Sequence, residues 1–436
     1  MKKIFVGGSK ACTIHNEKNF INSCIRNNSK YEITDNYTEA DIIVITDACI
    51  ATYNSVLESF DYLEEVLNNK MDNAQVILSG CLSKGFKLEL SEEIKEVLEK
   101  VDIITPDKVT EHVVRLINGD LDENLLRDCR LPFSFSYNNI FLSPVSGCLN
   151  HCSFCKTNYM NFPLQSADIC DLEKFTLDLN RLSDEGKPFH YIGINSSNLS
   201  LYGVDLYGYQ RCHEAIKILT SANSIKWANV GALINWYPEL INEILNNPKI
   251  KSIFTSLESG SDRIYNLMNR PIELEKLKEI IKTIRRERPD ILINTEIICG
   301  YPTESFDDLK RSIDVIYELD INPAFVHPYD NSFCVPSSKL PQHSYDYAVE
   351  CAYYATDKLE PLQNKFDAII KNGEMLVLDK NDDAKIYRVM LTNGGIGNVR
   401  FDQFDKSYEA NEIIPAQTIK DKHLVKKKKR SSSILV

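Results

Sequence analysis

Short runs of Ile and Val closed by small residues recur through the first 118 residues, at 3–6, 41–46 and 75–79. Their continuous apolar character predicts buried parallel strands rather than half-exposed ones. Between and after them, 53–67 and 92–101 space their apolar residues three and four apart, which predicts amphipathic helices. Strand followed by helix, repeated, predicts a doubly wound parallel α/β sheet over 1–120. The polar stretch 119–137, with Pro132, reads as a linker. The alternation resumes over 138–370 at a longer period, with a strand-like segment from Asn139 and others at 191–195, 226–231, 252–257, 291–299 and 324–327, and a helix at 274–286. About 200 residues of repeated βα units predict a closed or partial barrel. Residues 345–370 read as helix, and 371–436 turn to short β-like runs at 375–378, 387–391 and 412–419, with Asn393-Gly394-Gly395 as a hairpin turn: a small β domain. The Lys426-to-Arg430 run and the serines after it read as a solvated tail.

Composition narrows the function. Of the 436 residues, 43% are hydrophobic and 26% charged, which suits several domains with real cores. Lys and Arg number 50 against 62 Asp and Glu, a net charge of −12, which argues against a general nucleic-acid binder. No apolar run reaches the roughly 18 residues of a membrane span. After Met1-Lys2-Lys3 only three apolar residues precede Gly7-Gly8, too few for a signal-peptide core. The expectation is a soluble, cytoplasmic protein with no membrane partner. Thirteen cysteines then stand out. Their odd number and the absence of an export signal argue against a disulfide framework and towards metal ligands or buried thiols.

Three of them form Cys148-x3-Cys152-x2-Cys155, directly after the first strand-like segment of the barrel. Three thiolates can hold three irons of a cubane [4Fe–4S] cluster and leave the fourth iron open. Chance produces this spacing in about one such chain in a hundred. A zinc reading needs a fourth ligand, and His151, the local candidate, sits beside Cys152 in a strained position for joining the thiols around one ion. Three further cysteines, Cys12, Cys49 and Cys81, each follow a predicted strand of the first domain. The carboxyl edges of an open parallel sheet form its ligand crevice, so these thiols could gather there around a second cluster; the bland alternative is three unrelated buried thiols.

The cysteine triplet is the signature of the radical S-adenosylmethionine (SAM) enzymes, and the whole layout resembles the radical-SAM methylthiotransferases. Thr46 to Thr52 looks like that family's N-T-C-x-V-T segment, and Ser79-Gly80-Cys81 its T-G-C. In the barrel, Tyr202 to Leu206, Ser259 to Arg263 with Met268 and Arg270 downstream, and Asn294 to Pro302 with Glu304 following resemble family segments. The resemblance implies an α/β domain with an auxiliary cluster at Cys12, Cys49 and Cys81, a radical-SAM barrel with Cys148, Cys152 and Cys155 as catalytic cluster ligands, and a TRAM-like β domain. It implies two [4Fe–4S] clusters and SAM as cofactors, with Phe154 near the adenine and Asn198, Glu258, Ser259 and Glu304 near the SAM site. It further implies a low-potential electron donor of flavodoxin or ferredoxin type. The expected reaction is insertion of a methylthio group at an unactivated C–H bond of a tRNA nucleoside or a polypeptide side chain.

Departures from the family pattern bear on the substrate. Asn161-Phe162 stands where an Arg-Gly pair is usual, Ser197 and Glu258 replace glutamines, Asn229 replaces an arginine, and the usual Y-S-x-R-x-G-T stretch is blurred into 327–338. Losing guanidiniums removes planar phosphate binders, which with the acidic charge lowers the case for tRNA. Two other readings stand beside the leading one: a different C–H outcome on a peptide or small molecule, and a non-catalytic iron–sulfur protein. Gly7 to Lys10 lacks the full phosphate-loop pattern. The cysteines at 24, 129, 170, 212, 299, 334 and 351 have no ligand spacing, and His190, His213, His327 and His343 have no partner motif; these read as structural.

Overall fold

The computed structural model describes residues 1–8, 30–47, 53–79, 92–104, 133–136, 139–155, 164–331, 335–382, 385–393, 396–404 and 407–415. Five parallel strands form the first sheet: β1 (Lys2–Gly8), β2 (Tyr31–Thr34), β3 (Ile42–Asp47), β4 (Gln75–Leu78) and β5 (Ile103–Ile104). Their order is β2-β1-β3-β4-β5, a doubly wound order whose switch point lies between β1 and β3. One face packs Phe5, Ile43, Ile45 and Val76 against Phe60, Leu63 and Val66 of helix α1 (Tyr53–Asn69). Ile4, Val6, Val44 and Ile77 form a second cluster on the other face. Covered on both sides, these strands need apolar residues at successive positions, which is why they read as unbroken runs. Helix α2 (Glu92–Glu99) adds Leu98 to the first of these clusters.

The central sheet has seven strands: β6 (Phe133–Ser136), β7 (Asn139–Leu142), β10 (Tyr191–Ile194), β11 (Trp227–Val230), β12 (Ile250–Phe254), β13 (Leu292–Cys299) and β14 (Asn322–Pro328), ordered β14-β13-β12-β11-β10-β7-β6. Six are parallel, and β6 closes one edge antiparallel to β7. The interposed β8 (Val145–Ser146) and β9 (Gln165–Ser166) form a small antiparallel pair. Connecting helices are α3 (Ile169–Asp184), α4 (Val204–Tyr207), α5 (Cys212–Thr220), α6 (Pro238–Asn246), α7 (Asp262–Leu267), α8 (Leu274–Glu287), α9 (Phe306–Leu319) and the long α10 (Tyr345–Asn372). β13 buries Ile293, Thr295, Ile297 and Cys299 and leaves the alternate residues partly open, the pattern of a strand with one face towards helices and one towards a concave interior.

Four antiparallel strands complete the chain: β15 (Glu374–Asn381), β16 (Ile386–Leu391), β17 (Ile396–Arg400) and β18 (Ile413–Pro415), ordered β17-β16-β15-β18. Leu376, Leu378 and Met390 of this sheet pack on Tyr191 and Trp227, the first residues of β10 and β11. The small sheet therefore closes the amino-terminal end of the barrel, away from the carboxyl ends where the site lies.

Three readings need correction. The end of the expected linker, 133–136, is strand β6, because Phe133 and Phe135 alternate with serines and find an edge beside β7. The strand expected at 252–257 runs Ile250–Phe254, with the chain beyond it touching β13 only by one bridge between Glu258 and Ile297. Strands β2, β5 and β17 are present besides those the periodicity indicated; β2 and β5 are short sheet edges with little apolar signal. The glycines of the expected hairpin turn and the basic tail lie outside the described residues.

Candidate functional site

Gly147, in the left-handed region at φ +78°, turns the chain out of β8 into the cysteine loop. Cys152 is buried, Cys148 and Cys155 are half-buried, and all three are free thiols. Ser153, between the last two, fastens the loop to the barrel. Its amide donates to Met268 O (2.9 Å) and its hydroxyl to Leu267 O (2.8 Å), with the Tyr301 hydroxyl also 2.8 Å away. Ser153 O accepts from the Ser337 amide (3.0 Å) and hydroxyl (2.9 Å), and Tyr329 lies 2.8 Å from that hydroxyl. The loop is thus tied to the end of α7, the turn after β13 and the segment after β14. Phe154 packs beside Ile264, Met268, Tyr301, Tyr329 and Ala348.

Two thiols are ringed by hydrogen-bond donors. Cys148 Sγ accepts from the Asn150 amide and from Asn198 Nδ2, each at 3.4 Å. Asn198 is fully buried; Asn235 Oδ1 accepts from it at 2.7 Å, and Ser200 Oγ donates to its Oδ1 at 2.6 Å. Asn150 and Asn235 exchange amide hydrogen bonds of 2.8 and 3.1 Å. Cys152 Sγ accepts from Arg270 Nη1 at 3.3 Å. Burial pushes both thiols up, and these donors pull the other way. Coordination to a metal deprotonates a thiol outright, and donors aimed at sulfur are what a bound thiolate requires.

Arg270 is buried among unusual company. Nη2 donates to Ser256 O at 2.7 Å, and Nη1 lies 3.7 Å from Glu258 Oε1. Glu258 follows β12 with φ +66°, a left-handed backbone rare for a side-chain-bearing residue. Its amide donates to Glu296 O and its carbonyl accepts from the Ile298 amide, both at 2.9 Å. Burial first, then the nearby Glu296, push the Glu258 carboxyl up to about 8, against the pull of Arg270. Glu296 experiences the same burial, but His327, Ser256 and Arg270 outweigh it and hold its carboxyl below the usual range. The Ser256 hydroxyl donates to Glu296 Oε1 at 2.6 Å, and His327 Nε2 lies 3.4 Å from Oε2. His327, read from sequence as partnerless, therefore has a carboxylate partner. It stacks on Phe325, which neighbours Phe254, so an aromatic row lines the concave face beside the two acids.

Ser259 and Glu304 stand one layer back. Ser259 is fully buried, with its hydroxyl 3.2 Å from that of Ser312. Glu304 Oε2 accepts from the Gly300 amide at 2.6 Å, while burial pushes its carboxyl up to about 8. Among the described residues no group of three or more His, Cys, Asp or Glu side chains is placed to hold a single metal ion. Ligands of one tetrahedral ion must crowd around it, whereas those of a cubane bind separate irons. Cys12, Cys49 and Cys81, and with them Cys24, Cys129 and Cys334, lie outside the described residues.

Residues 142–316 match the radical SAM superfamily, and residues 12–105 match the family described as Uncharacterized protein family UPF0004. The chain is 27% identical over 331 residues to the ribosomal protein uS12 methylthiotransferase RimO of Acetivibrio thermocellus, covering 71% of each. It is 27% identical over 384 residues to that of Clostridioides difficile, covering 82% of this chain and 83% of the relative, and 24% identical over 432 residues to that of Clostridium botulinum, covering 93% and 94%. These matches and relatives together support a divergent member of the radical-SAM methylthiotransferase family. The family's cofactors are [4Fe–4S] cluster chemistry and SAM. The cobalamin-dependent SAM radical enzyme OxsB shares the fold, with TM-score 0.52 at 12% identity over 82% of this chain; the chain spans 56% of that enzyme's length.

Three thiols spaced for a cubane, two of them accepting hydrogen bonds from nitrogen donors that a ligating thiolate would keep, fit such a cluster. The sequence pointed to Cys148, Cys152, Cys155, Phe154, Asn198 and Glu258, and the fold brings these to the carboxyl ends of the barrel strands. It did not single out Ser153, Asn150, Asn235, Glu296, Ser337 or Arg270 as site residues. Arg270 and Glu296 lay in segments that resemble the family, Met268 to Arg270 and Asn294 to Pro302, and Asn150 and Ser153 lay inside the cysteine triplet, but none of them had been given a role.

Proposed function

We propose that this protein is a radical-SAM methylthiotransferase acting on a polypeptide side chain, and that Cys148, Cys152 and Cys155 hold its SAM-cleaving cluster. When bound, the cluster and SAM together supply one-electron activation of a substrate C–H bond. Asn150 and Asn198 orient Cys148, Arg270 orients Cys152, and Ser153 keeps the loop from shifting while cofactor binds. Phe154, Glu258 and Glu304 are the residues assigned to the SAM side of the site; Asn198 and Ser259 support it from behind. Along the concave face, Phe254, Phe325 and His327 offer an aromatic surface for substrate, and Glu296 holds His327 in place. The observation that carries this reading is the set of three donors, two on Cys148 and one on Cys152, which a pair of inert buried thiols would not need.

A polypeptide is favoured over tRNA for three reasons. The surface is acidic, the charged groups on the concave face include two carboxylates, and the relatives above are named for ribosomal protein uS12. Phosphate recognition calls for cations there.

An auxiliary cluster at Cys12, Cys49 and Cys81 completes the proposal. Gly8 pairs with Asp47, and Ile45 with Leu78. The three cysteines therefore follow, by four, two and three residues, the ends of adjacent parallel strands. At a maximum of about 3.5 Å of chain per residue and about 4.8 Å between strands, they are within reach of one another.

Anaerobic incubation of the reconstituted protein with SAM, dithionite and ribosomal protein uS12 tests the reading. The expected products are 5′-deoxyadenosine and a uS12 peptide carrying one methylthio group in place of hydrogen. Methylthiolation of total tRNA with none on uS12 would contradict it. 5′-Deoxyadenosine without added sulfur would favour a different C–H outcome, and SAM left intact would favour an iron–sulfur protein without turnover.

A further inference from the structure

Arg270 divides its guanidinium between the cysteine loop and the segment just past the end of the barrel strand β12. Its guanidinium is sealed from solvent, with 3% of the side chain exposed, yet it gives one arm to the sulfur of Cys152 (3.3 Å) and the other to Ser256 O (2.7 Å). Its Nε makes no hydrogen bond of good geometry, although the Tyr265 hydroxyl lies close to the guanidinium. A full positive charge buried with an unfilled donor is costly unless an anion sits beside it. Glu258, at 3.7 Å, is too far for a hydrogen bond and is neighboured by a second carboxylate, Glu296. The remaining anion is the sulfur at Cys152, once ligated. Arg270 also lies 5.9 Å from the centre of the Phe154 ring, so the cation faces two successive parts of the cysteine loop.

We infer that Arg270 is a positioning residue that sets the reduction potential of the cluster held at Cys148, Cys152 and Cys155, with Glu258 as its opposing counter-charge. Charge-assisted hydrogen bonds to a ligating sulfur favour the more negative, reduced cluster. In a site with little water the effect is poorly screened. Glu258 acts in the opposite sense, because its carboxylate competes with the Cys152 sulfur for the same nitrogen, Nη1. Glu258 stands where the resembled family pattern has glutamine. The inference rests on the cluster proposed above.

The test is a redox titration of the full-length reconstituted protein followed by electron paramagnetic resonance, monitoring the cluster whose signal responds to SAM. Two variants are compared with the parent: Arg270→Met, which keeps bulk and removes charge, and Glu258→Gln, which is isosteric. Arg270→Met is expected to lower the midpoint enough to cut the reduced-to-oxidised ratio at least tenfold at a fixed potential, which is 59 mV for one electron. Glu258→Gln is expected to move it the other way at pH 9, where that carboxyl is ionised. If Arg270→Met fails to retain its cluster, Glu258→Gln decides alone. A midpoint unmoved in either variant, with iron content intact, overturns the inference. Parent protein that takes up no iron at the 148/152/155 site, judged by iron content against a Cys148→Ala variant, overturns the cluster reading and the inference with it.

Discussion

Tyr301 shows how single polar atoms hold the cysteine loop. Its hydroxyl lies 2.8 Å from Ser153 Oγ and donates to Leu267 O at 3.1 Å, in a region closed to water. Tyr301→Phe removes both contacts and leaves Ser153 its bond to Leu267. A loss of about 1 kcal/mol is expected in urea unfolding, and a loss within error would mean the loop is fastened elsewhere. Glu304 makes a different prediction. Its carboxyl, raised from an ordinary 4.5 to about 8, binds a proton in the folded state that the unfolded chain has released. Its contribution to stability therefore falls as pH rises from about 4.5 to 8. Glu304→Gln keeps an oxygen for the Gly300 amide and carries no charge, so it should match the parent at pH 4.5 and exceed it at pH 8.5, by an amount on the order of a few kcal/mol. A constant difference across that range would contradict the assignment. Residue-scale partners of this kind were largely hidden in the sequence. Arg270 meets Cys152 across 118 positions and Asn235 meets Asn150 across 85, and no local spacing encodes such meetings.

Turns set the geometry between elements. Gly300 sits at φ +72° between β13 and α9, and a Cβ there would lie 2.4 Å from the Ala348 Cα of α10. Both the conformation and the close approach exclude a side chain. Gly300→Ala should destabilise by about 2–4 kcal/mol and loosen the Tyr301 and Glu304 contacts that follow it; a change below about 1 kcal/mol in thermal or urea unfolding would show that α10 can yield. Helix α9 starts with a capping box in which Ser305 and Asp308 exchange hydrogen bonds. Burial works against the Asp308 charge, but Arg263, Ser261 and Ser305 outweigh it and hold the carboxyl well below the usual range. A depressed carboxyl adds stability that is present above its unfolded value and lost as pH falls through the folded one. Asp308→Asn should therefore narrow the gap to the parent progressively below about pH 4. Elements were far more legible than side-chain partners. β1, β3, β4, α1 and α8 follow from periodicity, because burial on one or two faces writes itself into residue spacing. β5, with two residues, and β6, lying in a polar linker, had too few apolar positions to register.

For the whole molecule, one sheet ends where the cysteines of the first domain follow, the barrel carries a thiol loop braced from three sides, and a small antiparallel sheet closes the far end of the barrel. The broad layout was readable because three cysteines follow strands by a few residues in sequence and three more form a tight triplet, a distribution that buried thiols do not produce by themselves. The most direct measurement is iron and sulfide content after anaerobic reconstitution of the full chain, beside variants with alanine at Cys148, Cys152 and Cys155 or at Cys12, Cys49 and Cys81. The account predicts about eight irons in the parent and about four in each variant. About four in the parent, unchanged when Cys12, Cys49 and Cys81 are replaced, would contradict it.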